Sequence, residues 1–114
     1  MTFKELLKNK EFVLLDGAMG TMLQASGLKL GGIPEELNFT NPELIEDIHR
    51  KYINAGAMAV YANTFGANRH KLNGSKYSVA ETVQKGLEIA RKACAGTDAL
   101  VALDVGSLGV MLRP

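Results

Sequence analysis

The sequence predicts an α/β fold built on a parallel sheet, in the order strand, helix, strand, helix, strand. Three observations carry that reading. Apolar runs at residues 12–15, 58–62 and 99–103 are continuous rather than alternating, the pattern of strands buried on both faces. Two stretches between them, opening at Pro42 and at Val79, place apolar residues at helical spacing. Each apolar run stops at Asp or Asn with a glycine close behind: Asp16-Gly17, Asn63 with Gly66, and Asp104 with Gly106. Strands joined through helices in this way form right-handed βαβ units, so the three strand C-termini lie on one side of the sheet.

A short helix is predicted first, because Thr2 and Glu5 have the spacing of a capping box. Phe12-Val13-Leu14-Leu15 is too short for a helix and reads as the first strand. Residues from Ala18 to Ala25 fit one or two helical turns, with Met19, Met22 and Leu23 as their apolar side. Gly27, Gly31, Gly32 and Pro34 then make a long loop, and long loops in compact domains tend to be functional. Asn41-Pro42 opens the next helix, with Asn as N-cap and Pro at the first helical position. Its apolar stripe is Leu44, Ile45, Ile48, Tyr52 and Ala55; acidic residues come early and basic ones late, as the helix dipole favours, and Gly56 ends it. The second strand covers Met58–Ala62. Ser78 and Glu81 form a second capping box, for a helix with the stripe Val79, Val83, Leu87, Ala90 and Cys94 that Gly96 ends. Ala99–Leu103 is the third strand.

Composition narrows the classes. A chain of 114 residues and 12.3 kDa is one domain at most, and it shows no internal repeat or linker. Thirteen Lys and Arg against twelve Asp and Glu leave a formal charge of +1, which gives no electrostatic case for nucleic acid or an anionic membrane. The 46% apolar and 22% charged fractions are those of a globular chain rather than a disordered one. Cys94 is the only cysteine, so an intrachain disulfide is excluded and a tetrahedral zinc site needs other ligands. No apolar run approaches the roughly 20 residues of a membrane span, and the charged N-terminus lacks the apolar core of a signal peptide. A soluble protein of a reducing, cytoplasmic compartment is the expectation.

Asp16, Asn63 and Asp104 therefore converge on the rim where barrels and open α/β sheets bind ligands. The same residue types also end strands simply because they suit turns. Three on one face favour a site. In D-G-A-M-G-T, Gly17 and Gly20 allow close backbone approach to a ligand, although neither the dinucleotide nor the Walker spacing is present. Other candidates read as structural. His49 lies beside an apolar stripe and is expected at the surface or its boundary. His70 belongs to a solvated turn. Cys94 continues a stripe and reads as a buried thiol. Tyr52 and Tyr61 read as packing residues.

Four segments carry a resemblance: L-L-D-G-A-M-G-T-M-L-Q (14–24), P-E-E-L-N (34–38), H-R-K-Y-I-N-A-G-A (49–57) and A-N-T-F-G-A-N-R-H-K-L (62–72). In order and spacing they resemble the homocysteine S-methyltransferase domain family. Within it they are most like the N-terminal, homocysteine-binding module of the cobalamin-dependent methionine synthases. The resemblance implies a (β/α)₈ barrel, of which residues 1–114 form the N-terminal βαβαβ part. It implies that homocysteine is activated as a zinc thiolate and methylated to methionine, with methylcobalamin or a related carrier as donor. It also implies that Asp16 and Gly17, with the Ala18 backbone, hold the amino-acid end of homocysteine. Asn63 and Thr64 line the pocket, and Asp104 matches the aspartate of the third-strand turn. Here that turn reads D-V-G-S-L-G (104–109), without the family's proline. The family's zinc ligands are three cysteines late in the barrel, so this chain is expected to hold no metal and to be inactive alone.

The partners then implied are homocysteine and the remainder of the barrel or other copies of the chain. The alternative is a stand-alone, non-catalytic module that binds a small amino acid or anion at the rim. A third reading is a flavodoxin-like open sheet with phosphate at Gly17–Gly20. Three parallel strands cannot close, so two sheet edges stay open and the chain by itself is expected to self-associate or to be marginally stable.

Overall fold

A computed structural model describes residues 1–29 and 31–111. Its helices start where side chains satisfy free backbone N–H groups. Thr2 and Glu5 form the reciprocal capping box of α1 (Phe3–Asn9). α2 (Met19–Ala25) follows, and then a 3₁₀ turn at Pro34–Glu36 runs into α3 (Leu37–Thr40). Asn41 accepts the Leu44 N–H at 3.4 Å, and Pro42 opens α4 (Pro42–Asn54). Beyond α4, Gly56 takes φ +110° while the Gly56 and Ala57 N–H groups return to the carbonyls of Ile53 and Tyr52, a Schellman close. Ser78 caps α5 (Val79–Cys94) by accepting the Glu81 N–H at 3.1 Å. The second half of the predicted box, the Ser78 N–H donating to the Glu81 carboxylate, is not formed, and exposed Glu81 faces solvent; separately, the Thr82 hydroxyl donates to the Ser78 carbonyl at 2.7 Å.

β1 (Ala59–Tyr61) and β2 (Leu100–Ala102) pair in parallel, with Val60 opposite Val101. The first apolar run is less than the strand predicted for it. It joins the sheet through one parallel bridge, Leu15 to Ala59. The Met58 N–H donates to the Leu14 carbonyl at 2.7 Å, and the Asp16 N–H to the Ala59 carbonyl at 3.1 Å. Phe12, Leu14 and Leu15 are exposed, because this edge has a neighbour on one side only. β2 is half-buried and Tyr61 and Leu103 are exposed, so burial on both faces fails there too. β1 lies between the Leu15 segment and β2. That order differs from a flavodoxin-like sheet, where the first strand sits between the second and third, and it removes that reading.

α4 packs on α5 and on β1, and α5 packs on β2. One apolar cluster joins Val60 and Ala62 to Ala90 and Cys94. A second joins Leu23, Ile45, Ile48 and Ile89. Tyr52 touches both. His49 corrects its reading as a boundary residue. It is fully buried, neither ring nitrogen has a partner, and burial pushes its pKa down to about 4. The ring is therefore neutral and serves as packing volume.

Candidate functional site at the strand ends

The rim is assembled by side chains that tie one strand end to the next. Asp16 accepts the Tyr61 N–H at 3.1 Å, so its carboxylate fastens the first segment to the end of β1. Burial raises its pKa and the Asp104 charge adds to the rise, while the Tyr61 N–H works against both. Gly17 sits on the Tyr52 ring, where a Cβ would come within 2.8 Å of Cε1. The Tyr52 hydroxyl donates to the Ala18 carbonyl at 2.7 Å. The D-G-A segment is thus held from below by α4, and Tyr52 does more than fill space.

The end of β1 is locked from two sides. The Asn63 side-chain amide donates to the Pro34 carbonyl (3.1 Å) and to Asn38 Oδ1 (3.0 Å), and Asn38 donates back to the Asn63 carbonyl (3.0 Å). This exchange pins the 34–40 segment to the strand end. It requires Gly86 on α5, because a Cβ there would meet Thr64 Cγ2 at 2.8 Å and Asn38 Nδ2 at 3.2 Å. Thr64, buried, donates to the Asp104 carbonyl at 2.8 Å and accepts the Asp104 N–H at 3.1 Å. That pair staples the end of β1 to the end of β2.

A cleft of about 570 Å³ opens on this rim, a size suited to a small ligand. Asn63 and Asp104 line it, together with Glu35, Lys71 and the apolar Met19 and Ile33. Asp16, Gly17, Ala18 and Thr64 do not line it: Thr64 lies beneath it, and Asp16 is near enough for its charge to interact with that of Asp104. Glu35 is the residue that strand-end reasoning passes over. It is 5% exposed, and its carboxylate rests against Gly66. Burial raises its pKa and the Gly66 N–H and the Lys71 charge oppose the rise. The proline before it marks a turn, but nothing in P-E-E separates buried Glu35 from Glu36.

A metal centre finds no ligand set here. Among the described residues no group of three or more His, Cys, Asp or Glu side chains gathers to hold an ion. Cys94 lies buried in the apolar cluster of α5, and burial raises its thiol pKa, which disfavours the thiolate a metal needs. No helix among the described residues is long and apolar enough to cross a membrane.

Fold and rim together define an α/β chain with a cleft at the C-terminal ends of parallel strands, where barrel enzymes place their sites. The chain belongs to the homocysteine S-methyltransferase family, whose model matches residues 13–114. It is 47% identical to methionine synthase of Mycobacterium tuberculosis over 87 residues, which is 68% of this chain and 7% of that protein. It is 33% identical to homocysteine S-methyltransferase of Escherichia coli, covering 96% of this chain and 39% of that protein. The crystal structure of an Escherichia coli homocysteine methyltransferase in its metallated form superposes with a TM-score of 0.78 at 33% identity, over 90% of this chain and 40% of that one. The chain therefore spans less than half the length of these relatives and corresponds to part of their barrel.

Proposed function

We propose that this chain supplies part of the homocysteine-binding rim of a barrel that transfers a methyl group to the homocysteine sulfur and yields methionine. The observation that carries this is the cleft that Asn63 and Asp104, from the ends of two adjacent strands, both line in a chain of this family. The side chains of Asn63 and Asp104 face the bound amino acid. Asp16, Gly17 and Ala18 shape the neighbouring wall, with Asp16 ordering the end of β1 through Tyr61. Thr64 sets the spacing of the two strand ends. Zinc activation of the thiol, and methylcobalamin as donor, belong to residues outside this set. On this reading the part of the rim residues is to bind and orient the amino acid.

The test is methyl transfer to homocysteine by the protein as isolated from its cells, with its intact mass recorded. Asp104→Asn is expected to weaken homocysteine binding by roughly tenfold or more, since it removes a charge from a partly desolvated cleft, and Asn63→Ala is expected to weaken it at least as much, since it also releases the Pro34 and Asn38 bonds that hold the cleft wall. Wild-type affinity in both variants would overturn the assignment. A species of 12.3 kDa that binds homocysteine without methylating it would favour the non-catalytic binding module instead. Methyl transfer by the 114-residue chain alone would overturn the placement of the metal outside it.

A further inference from the structure

Of the seven asparagines in the chain, one is followed by glycine, at Asn73-Gly74. The pair lies in the loop between β1 and α5, where the Ser75 N–H donates to the Leu72 carbonyl at 2.8 Å and closes a turn. Both residues are exposed, and Gly74 takes φ +88°, a conformation that glycine adopts freely. Among the described residues no backbone carbonyl accepts the Gly74 N–H, and a Cβ at Gly74 would meet nothing within 4 Å. A solvated side-chain amide therefore sits beside an amide nitrogen that is neither hydrogen-bonded to the backbone nor crowded. The other asparagines lack this combination. Asn38 and Asn63 are buried and bonded to each other, and Asn41 precedes a proline, which has no N–H. Asn68 donates to the Ser107 carbonyl at 3.4 Å and accepts the Lys71 N–H at 2.8 Å. Asn9 and Asn54 are exposed, but the N–H groups of the residues that follow are engaged: Lys10 donates to Leu6 at 3.1 Å and Ala55 to Lys51 at 3.0 Å.

We propose that Asn73 is a site of spontaneous deamidation in the folded protein, converting to isoaspartate and aspartate through a cyclic imide. Hydroxide takes the Gly74 amide proton, and the nitrogen attacks Cγ of Asn73. A new N–Cγ bond closes a five-membered ring, the bond from Cγ to the side-chain nitrogen breaks, and that nitrogen leaves as ammonia after taking a proton from water. Water then opens the imide at either carbonyl. Opening at the main-chain carbonyl leaves the chain running through the side chain, as isoaspartate; opening at Cγ gives aspartate. The sequence needs only water and is independent of methyl transfer to homocysteine. The new carboxylate, and in isoaspartate the extra main-chain carbon, fall inside the Leu72–Ser75 turn, next to buried Leu72 and in the same loop as Lys71 at the cleft.

The test is incubation of the full-length protein in neutral and in mildly alkaline buffer, followed by digestion and mass spectrometry. Isoaspartate is located by labelling the intact protein with a protein isoaspartyl methyltransferase and labelled S-adenosylmethionine. The Asn73 peptide is expected to convert roughly tenfold faster than the Asn9 and Asn54 peptides, because glycine leaves the attacking nitrogen open. Its rate should rise with pH, and methyl label should collect on it. Asn73→Gln is expected to abolish the labelling of that peptide, since the longer side chain must close a six-membered ring. Folded protein that keeps Asn73 intact while a synthetic peptide of residues 70–77 converts would overturn the proposal. Conversion at Asn9 or Asn54 as fast as at Asn73 would overturn it too, since the free Gly74 N–H would then confer nothing.

Discussion

Gly86 sits within α5, where glycine costs roughly 1 kcal/mol relative to alanine. Its replacement by alanine is nevertheless expected to destabilise the protein, by about 1–3 kcal/mol, because the added methyl drives into Thr64 and the Asn38 amide. Urea denaturation reads this as a lower midpoint, and a stabilised Gly86→Ala protein would show that the Asn38–Asn63 exchange yields freely. His49 sets a pH dependence. Its folded pKa, about 4, lies below the ordinary 6.5, so the folded state binds fewer protons than the unfolded one between those values. Its contribution is intact above pH 6.5 and is lost as pH falls toward 4, by up to about 3 kcal/mol. Stability measured across that range should lose this slope in His49→Leu; an unchanged slope would assign it to other groups. Asp16, Asn63 and Asp104 were legible because a strand ending in a polar residue places it on the rim. His49 was not: on α4 it extends the stripe of Ile45 and Ile48, but only the packed structure reveals how wide that stripe must be.

At the scale of elements, helix boundaries were legible because caps act within a few residues, as at Thr2, Asn41 and Ser78. The first apolar run departs from a buried strand for a reason outside the segment itself. An apolar run is buried only if neighbours cover it, and the Leu14–Asp16 edge has β1 on one side alone. The 34–40 segment depends on two polar side chains that no local rule singles out. Asn38→Ala removes one half of a buried amide exchange and leaves the Asn63 amide a partner short, at a cost of about 1–3 kcal/mol. Homocysteine binding should fall in the same variant, since Glu35 is carried on that segment; an unaltered affinity would mean that the 3₁₀ turn holds its place without the strand. Tyr52→Phe is the milder case. Loss of the 2.7 Å bond to the Ala18 carbonyl is expected to cost about 1 kcal/mol, read by thermal melting.

At the scale of the molecule, the sheet leaves Phe12, Leu14, Leu15, Tyr61, Leu103 and Val105 exposed. Studied as 114 residues, the chain is expected to self-associate, since open parallel edges with apolar side chains invite pairing. Sedimentation velocity checks this: a monomer with a cooperative melt at high temperature would contradict it. The parallel order also bears on how the chain assembles during synthesis. Leu14 meets Met58 across 44 residues of sequence, and the sheet contains no hairpin that could form early. At a ribosomal rate of about 5–20 residues per second, the Leu14–Asp16 edge waits roughly two to nine seconds for β1 to be made. α4, whose backbone hydrogen bonds are local, is complete before that partner emerges. The helices up to α4 are therefore made before β1, and the segment bearing Asp16 spends its first seconds as an unpaired, apolar stretch of nascent chain within reach of chaperones.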